Sequence, residues 1–234
     1  MDGRITEKIR CVVFDLDDTL CPEIEYCKSG FKVAAREIAG HFKLDQEDVY
    51  QRLCGIFSRG NREKIFNAVL DGLGAAYDER FILSLVEKYR NHLPDLQLPA
   101  QSRTVLDRLG KNVALGLLTD GYMPAQRLKV QALGIERYFD VIVYTELLGR
   151  ENWKPSTAGF KLIMERMGFE PGGYVYVADN PAKDFIAPNL LGWKSVWYKN
   201  KDGVHQTPPA SDEQRAKYEI NELIELMDIP GYGN

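Results

Sequence analysis

Four apolar residues, Cys11-Val12-Val13-Phe14, run directly into Asp15-Leu16-Asp17-Asp18-Thr19. No other stretch restricts the fold of this chain as much. A short apolar run bounded by turn-forming residues reads as a fully buried strand of a parallel sheet. Open α/β sheets gather their ligands outside the carboxyl ends of such strands, which is where the three aspartates stand. Two readings of the acids are open at this point. They form an Asx turn after the strand, or they form a site in which a cation offsets their mutual repulsion, and hard oxygen ligands suit Mg²⁺.

With 234 residues the chain has room for one large domain, or for a core carrying a smaller insertion. A net charge of -4 and the lack of a basic patch argue against nucleic-acid and anionic-membrane partners, both of which reward a basic surface. Residues 1–10 are polar with no apolar signal segment, and no run reaches the roughly 18 apolar residues of a membrane span. A cytoplasmic protein, monomeric or homodimeric, is the expectation. Cys11, Cys21, Cys27 and Cys54 show no zinc-site spacing, so reduced, mostly buried thiols are expected. Cys21 stands close enough to the acids to modulate them.

From Pro22 to about Leu93 the pattern is helical, with segments at Glu23–Ala39, Asp45–Cys54, Arg62–Leu73 and Asp78–His92 that place apolar residues three or four apart. Two prolines in Pro94-Asp-Leu-Gln-Leu-Pro99 break this run. From Gln101 onward helices and apolar strands alternate, which implies right-handed crossovers and a parallel sheet. Strands are expected at Val113–Leu118, Val141–Tyr144, Tyr174–Ala178 and Ser195–Tyr198, with helices at Val105–Leu109, Pro124–Leu133, Ser156–Met167 and Ala182–Leu191. Together with Val12–Asp15 this makes five parallel strands, followed by a helix at Ser211–Met227. On that topology Asp15, Thr119 and Asp179 project from one carboxyl edge.

Asp15-Leu-Asp17-Asp-Thr19, the strand-ending Thr119, Lys154 in Trp153-Lys-Pro-Ser156, and Ala178-Asp179-Asn-Pro-Ala-Lys-Asp184 occur in that order. In these four motifs the chain resembles the haloacid dehalogenase superfamily, whose patterns are DxDx[TV], a Thr or Ser at the end of the second strand, a lysine, and GDxxxxD. The resemblance spans about Arg10–Tyr198. It implies a Rossmann-like, doubly wound α/β core of residues 1–20 and 97–234, with a helical type-one cap inserted at 21–96. Two residues depart from the pattern: Ala178 stands where the family usually has Gly, and Asp120 where many relatives have Asn.

The resemblance also implies roles. Asp15 is the nucleophile that forms an aspartyl-phosphate, and Asp17 the acid and then base that handles the proton. Thr119, the amides of Asp120 and Gly121, and Lys154 hold the phosphoryl oxygens. Asp15, the Asp17 carbonyl and Asp179 ligate Mg²⁺, while Asp184 supports Lys154 or the metal. Asp18 serves the turn. An acid two positions after the nucleophile favours phosphatases over dehalogenases, because an alkoxide needs a proton to leave and a halide does not.

The function implied is a Mg²⁺-dependent phosphatase acting on a small phosphate ester, such as a nucleoside monophosphate or a sugar phosphate. A phosphomutase, or a non-catalytic metal-binding module, is the alternative. Residues Thr119–Gln126, with Leu128, Lys129 and Leu133-Gly-Ile135, also look like the branch of nucleotidases and acylneuraminate-phosphate phosphatases. In the cap, Arg59, Arg62 and Lys64 could meet an anionic substrate and Tyr26, Phe31 and Phe57 a base, although a solvated helix face or cap core is the simpler account of each.

Overall fold

The computed structural model describes residues 8–60 and 63–231, and these divide into two compact units, 24–96 and the chain to either side of it. Strand β1 (Cys11–Phe14) is wholly buried. Four helices follow, α1 (Glu23–Phe42), α2 (Gln46–Ser58), α3 (Ile65–Gly72) and α4 (Glu79–Asn91). Their apolar stripes close on one another around Phe31, Ile38, Leu53, Phe66, Leu70 and Leu85. Asp45 and Asp78 cap α2 and α4, each accepting a hydrogen bond from a first-turn amide. Gly30 lets α1 lie against Tyr89, whose ring would be 2.4 Å from an added Cβ.

Tyr26 and Phe31 are buried in this helical unit, with Tyr26 donating to the Tyr89 carbonyl at 3.2 Å and Phe57 packing edge-on against Phe31. These rings are helix packing rather than open faces for a base. Arg59 and Lys64 are exposed, and the Arg59 Nε donates to the Gly55 carbonyl at 2.9 Å. Arg62 lies outside the described residues.

Beyond the helical unit come α5 (Ala100–Leu109), β2 (Ala114–Thr119), α6 (Ala125–Leu133), β3 (Val141–Tyr144), α7 (Ala158–Met167), β4 (Tyr174–Ala178), α8 (Ile186–Leu190), β5 (Lys194–Tyr198) and β6 (Tyr218–Ile220). The sheet is parallel throughout, in the order β3-β2-β1-β4-β5-β6. Strand order reverses beside β1, so the crevice of a doubly wound sheet opens at the carboxyl end of β1. Phe14 pairs with Leu117 on one side and Val177 on the other, and this register brings Asp15, Thr119 and Asp179 to the same carboxyl edge.

Two expectations are corrected. The helix expected over Ser211–Met227 does not form; β6 adds a sixth strand, flanked by 3₁₀ turns at Asp212–Gln214 and Leu223–Asp228. Ile220, Leu223, Ile224 and Met227 have helical spacing, but pairing β6 with the open edge of β5 buries Ile220 and Leu223 and satisfies backbone groups that an isolated helix would leave there. The helix expected over Ala182–Leu191 shortens to α8. Its first half winds as turns because the Asn180 side chain accepts from Ala182 N at 3.1 Å and Asp184 accepts from Asn180 N at 3.1 Å. Cys11, Cys21, Cys27 and Cys54 form no disulfide among the described residues, and the first three are buried.

Candidate active site

β1 delivers Asp15 to the crevice, and its backbone amide continues the ladder to the Val177 carbonyl at 2.9 Å. Lys154 reaches it from the segment before α7. The Lys154 Nζ lies 2.8 Å from Asp15 Oδ1 and 2.8 Å from Asp184 Oδ1, and donates to the Tyr176 hydroxyl at 2.9 Å. All four groups are buried. A buried ammonium is tolerable only when paired. Burial works against the charge on Lys154, but Asp15 and Asp184 outweigh it and hold the lysine well above its usual range. The Asp15 carboxyl is pushed up to about 6, chiefly by burial, with Lys154 opposing.

Asp179, one residue past β4, is the residue that best shows how the site suits a positive charge. Its Oδ2 is buried and has no hydrogen-bond partner among the described residues. Burial, then the charges of Asp184 and Asp15, push its carboxyl up to about 9. Asp15, Asp179 and Asp184 each place an oxygen within 4.8 Å of the others. Three hard oxygens and an orphaned buried acceptor fit a divalent cation.

Thr119 ends β2 and is buried. Gly121 follows at φ +137°, a conformation that side chains disfavour, and an added Cβ would come within 2.7 Å of the Gln126 side chain. Asp120, introduced above for its amide, turns out to use its carboxylate as well. Its Oδ1 accepts from Thr145 Oγ1 at 2.8 Å and from the Lys154 amide at 3.2 Å, and Oδ2 lies 3.0 Å from Lys183 Nζ. Burial would raise its carboxyl, but Lys154 and Lys183 prevail and lower it. The Asp at this position is therefore matched by a lysine from the motif across the crevice.

Asp17 faces a different cation. Lys129 Nζ lies 2.7 and 2.9 Å from its two oxygens, and Gln126 Nε2 donates to Oδ2 at 2.8 Å. Asp18, at φ 54°, accepts from Glu23 N at 2.8 Å, which starts α1, and from Val204 N at 2.7 Å. Its carbonyl accepts from Asn200 at 2.8 Å, so the turn residue also ties down the loop after β5. A cavity of about 140 Å³ opens among Asp15, Asp17, Asp120, Trp153, Asp179 and Lys183.

Reasoning from the sequence missed the roles of Tyr176, Thr145 and Lys183, and saw Gln126 and Lys129 only as part of a likeness. Tyr176 reads as an ordinary strand residue and Thr145 as a strand-end polar group. Gln126 and Lys129 carried one usable signal, two polar residues spaced i, i+3 on the helix that follows Gly121.

The family model of haloacid dehalogenase-like hydrolases matches residues 12–198. A glyceraldehyde 3-phosphate phosphatase of Methanocaldococcus jannaschii is 30% identical over 229 residues, covering 94% of this chain and 96% of its own. A ribulose-1,5-bisphosphate 5-phosphatase of Halopiger xanaduensis is 26% identical, covering 93% and 98%. Among solved structures, the HAD-hydrolase YfnB of Bacillus subtilis, bound to magnesium, shares the fold with a TM-score of 0.68 at 23% identity, covering 95% and 98%. With its motifs converging at one crevice and its family's model matching from β1 to β5, this chain belongs to the haloacid dehalogenase-like hydrolases.

Proposed function

We propose that this protein is a Mg²⁺-dependent phosphomonoesterase that hydrolyses a small phosphorylated metabolite through an aspartyl-phosphate. The observation that carries the reading is the pair of aspartates at the end of β1, each with its own buried lysine: Lys154 on Asp15 and Lys129 on Asp17. One acid is thereby set against phosphorus and the other kept for a proton. The names of the curated relatives, phosphatases of glyceraldehyde 3-phosphate and of ribulose-1,5-bisphosphate, favour a sugar phosphate over a nucleoside monophosphate.

The steps follow from the residues. Asp15 attacks phosphorus; its O–P bond forms as the bond to the leaving oxygen breaks, and Asp17 gives that oxygen a proton. Water then attacks phosphorus, Asp17 takes its proton, the bond to Asp15 breaks, and inorganic phosphate departs. Thr119, the amides of Asp120 and Gly121, and Lys154 hold the phosphoryl oxygens throughout. Asp184 and Tyr176 keep Lys154 in place. Asp15, Asp179 and the Asp17 carbonyl, supported by Asp184, would hold Mg²⁺, which supplies positive charge against the phosphoryl group and the crowded carboxylates.

Hydrolysis of p-nitrophenyl phosphate that requires Mg²⁺ and vanishes in Asp15→Asn is the expected result. Mg²⁺-dependent turnover surviving that substitution would refute the mechanism. A panel of glyceraldehyde 3-phosphate, pentulose phosphates, phosphoglycolate and nucleoside monophosphates then identifies the ester. Phosphate transfer to a second sugar phosphate in preference to water would replace the hydrolase reading by a mutase.

A further inference from the structure

We infer that Gln126 and Lys129 are positioning residues for Asp17 and leave one place on its carboxylate, at Oδ1, for the proton that the reaction moves. The inference rests on the reading of Asp17 as proton donor and acceptor.

Both residues lie on α6, one turn apart, and both are buried, Gln126 at 2% and Lys129 at 5% exposure. A buried ammonium in contact with only one carboxylate oxygen would leave that group free to rotate. Here Nζ reaches both oxygens, at 2.7 Å to Oδ1 and 2.9 Å to Oδ2, which fixes the carboxylate plane. Gln126 Nε2 adds a third donor, 2.8 Å from Oδ2. The same nitrogen is 3.0 Å from Thr119 Oγ1 and also bonds the Asp120 carbonyl. One amide therefore joins Asp17 to the loop proposed to hold the phosphoryl group.

An ionised carboxylate offers about four lone-pair sites. Both on Oδ2 are taken by Lys129 and Gln126, and one on Oδ1 by Lys129. The remaining site is on Oδ1. The Asp17 side chain is 23% exposed and lines the cavity that Asp15 also lines, which is where the leaving oxygen and the attacking water would stand. Asp15 shares neither of these donors; its lysine is Lys154.

A residue that only braces the fold slows all substrates alike. A residue that places the proton matters most for leaving groups that need one. The test is kcat/KM in Mg²⁺ across substituted phenyl phosphates, from p-nitrophenyl to p-methoxyphenyl, for the wild type, Lys129→Met, Gln126→Met and Lys129→Arg. Because kcat/KM reports steps through departure of the leaving group, slow hydrolysis of the aspartyl-phosphate does not confuse it. Lys129→Met is expected to lose about tenfold more on p-methoxyphenyl than on p-nitrophenyl phosphate, with Gln126→Met showing the same trend more weakly. Lys129→Arg, which restores a two-pronged donor, is expected to recover most of the difference. An equal loss on every ester, or no loss, overturns the inference while leaving the phosphatase reading standing. Absence of turnover by the wild type would instead remove that reading.

Discussion

The orphaned oxygen of Asp179 leads to a measurable linkage between pH, cation and stability. Its carboxyl is pushed up to about 9 in the metal-free fold, against an ordinary carboxylate value near 4 in the unfolded chain. The folded state therefore holds a proton that the unfolded state has released. Stability contributed in this way is present at low pH and is lost as pH rises toward 9. Asp15 behaves likewise but is half titrated at about 6 and contributes equally to the wild type and to an Asp179 variant, so their difference reads Asp179. One proton corresponds to about 1.4 kcal/mol per pH unit.

The perturbation is Asp179→Asn, which keeps the shape and cannot ionise. In EDTA, wild-type unfolding free energy is expected to fall relative to the variant by about 2–3 kcal/mol between pH 6 and pH 8. For a chain of this size that is a relative shift in Tm of about 4–12 °C. Adding saturating Mg²⁺ should abolish the trend in the wild type only. The cation must displace the Asp179 proton, so its apparent affinity should rise about tenfold per pH unit over the same range. Urea unfolding and thermal scans at a series of pH values, each with EDTA or Mg²⁺, read both effects. Parallel pH profiles for wild type and Asp179→Asn in EDTA would refute the reasoning, as would an equal Mg²⁺ shift in the two proteins.

The remaining predictions concern Lys154 and Gly121. Lys154→Met leaves Asp15 and Asp184 buried without their shared cation and should cost about 3–5 kcal/mol in urea unfolding at neutral pH, with kcat on p-nitrophenyl phosphate falling by more than about 10³. Gly121→Ala places a Cβ against the Gln126 side chain at a φ that alanine avoids, so a loss of about 1–3 kcal/mol is expected, together with a rise in KM for phosphate esters as the loop shifts; an unchanged KM would count against the loop's holding the phosphoryl group.

How much of this was legible in the sequence follows from which interactions are local. Buried parallel strands announce themselves by apolar runs, and the acids at the ends of β1 and β4, with Thr119 at the end of β2, needed only the sheet's direction to be brought together. The C-terminal segment was misread because Ile220, Leu223, Ile224 and Met227 satisfy a helical period while the available partner was a strand edge. Asp184 illustrates a different limit. Its place five residues after Asp179 suggests a helix first-turn acid, yet it is wholly buried on Lys154, thirty residues earlier in the chain. Asp120 and Lys183 form a pair across the crevice that neither motif discloses by itself.

The same distinction explains how this site gives two neighbouring aspartates different surroundings. Asp15 and Asp17 are two residues apart just beyond β1, where the chain has left the strand and turns, and their side chains reach different neighbours. Asp15 meets Lys154, Asp184 and the oxygens suited to a cation; Asp17 meets α6, through Lys129 and Gln126. A single lysine between the two aspartates would couple their charges, so that loss of a proton from one would strengthen the hold of the other. Two lysines from separate segments give each acid its own counter-charge. Because Gln126 also bonds Thr119 Oγ1, the Asp17 carboxylate is tied through α6 to the loop at the end of β2, and under the proposed roles this connection would link the proton to the phosphoryl group.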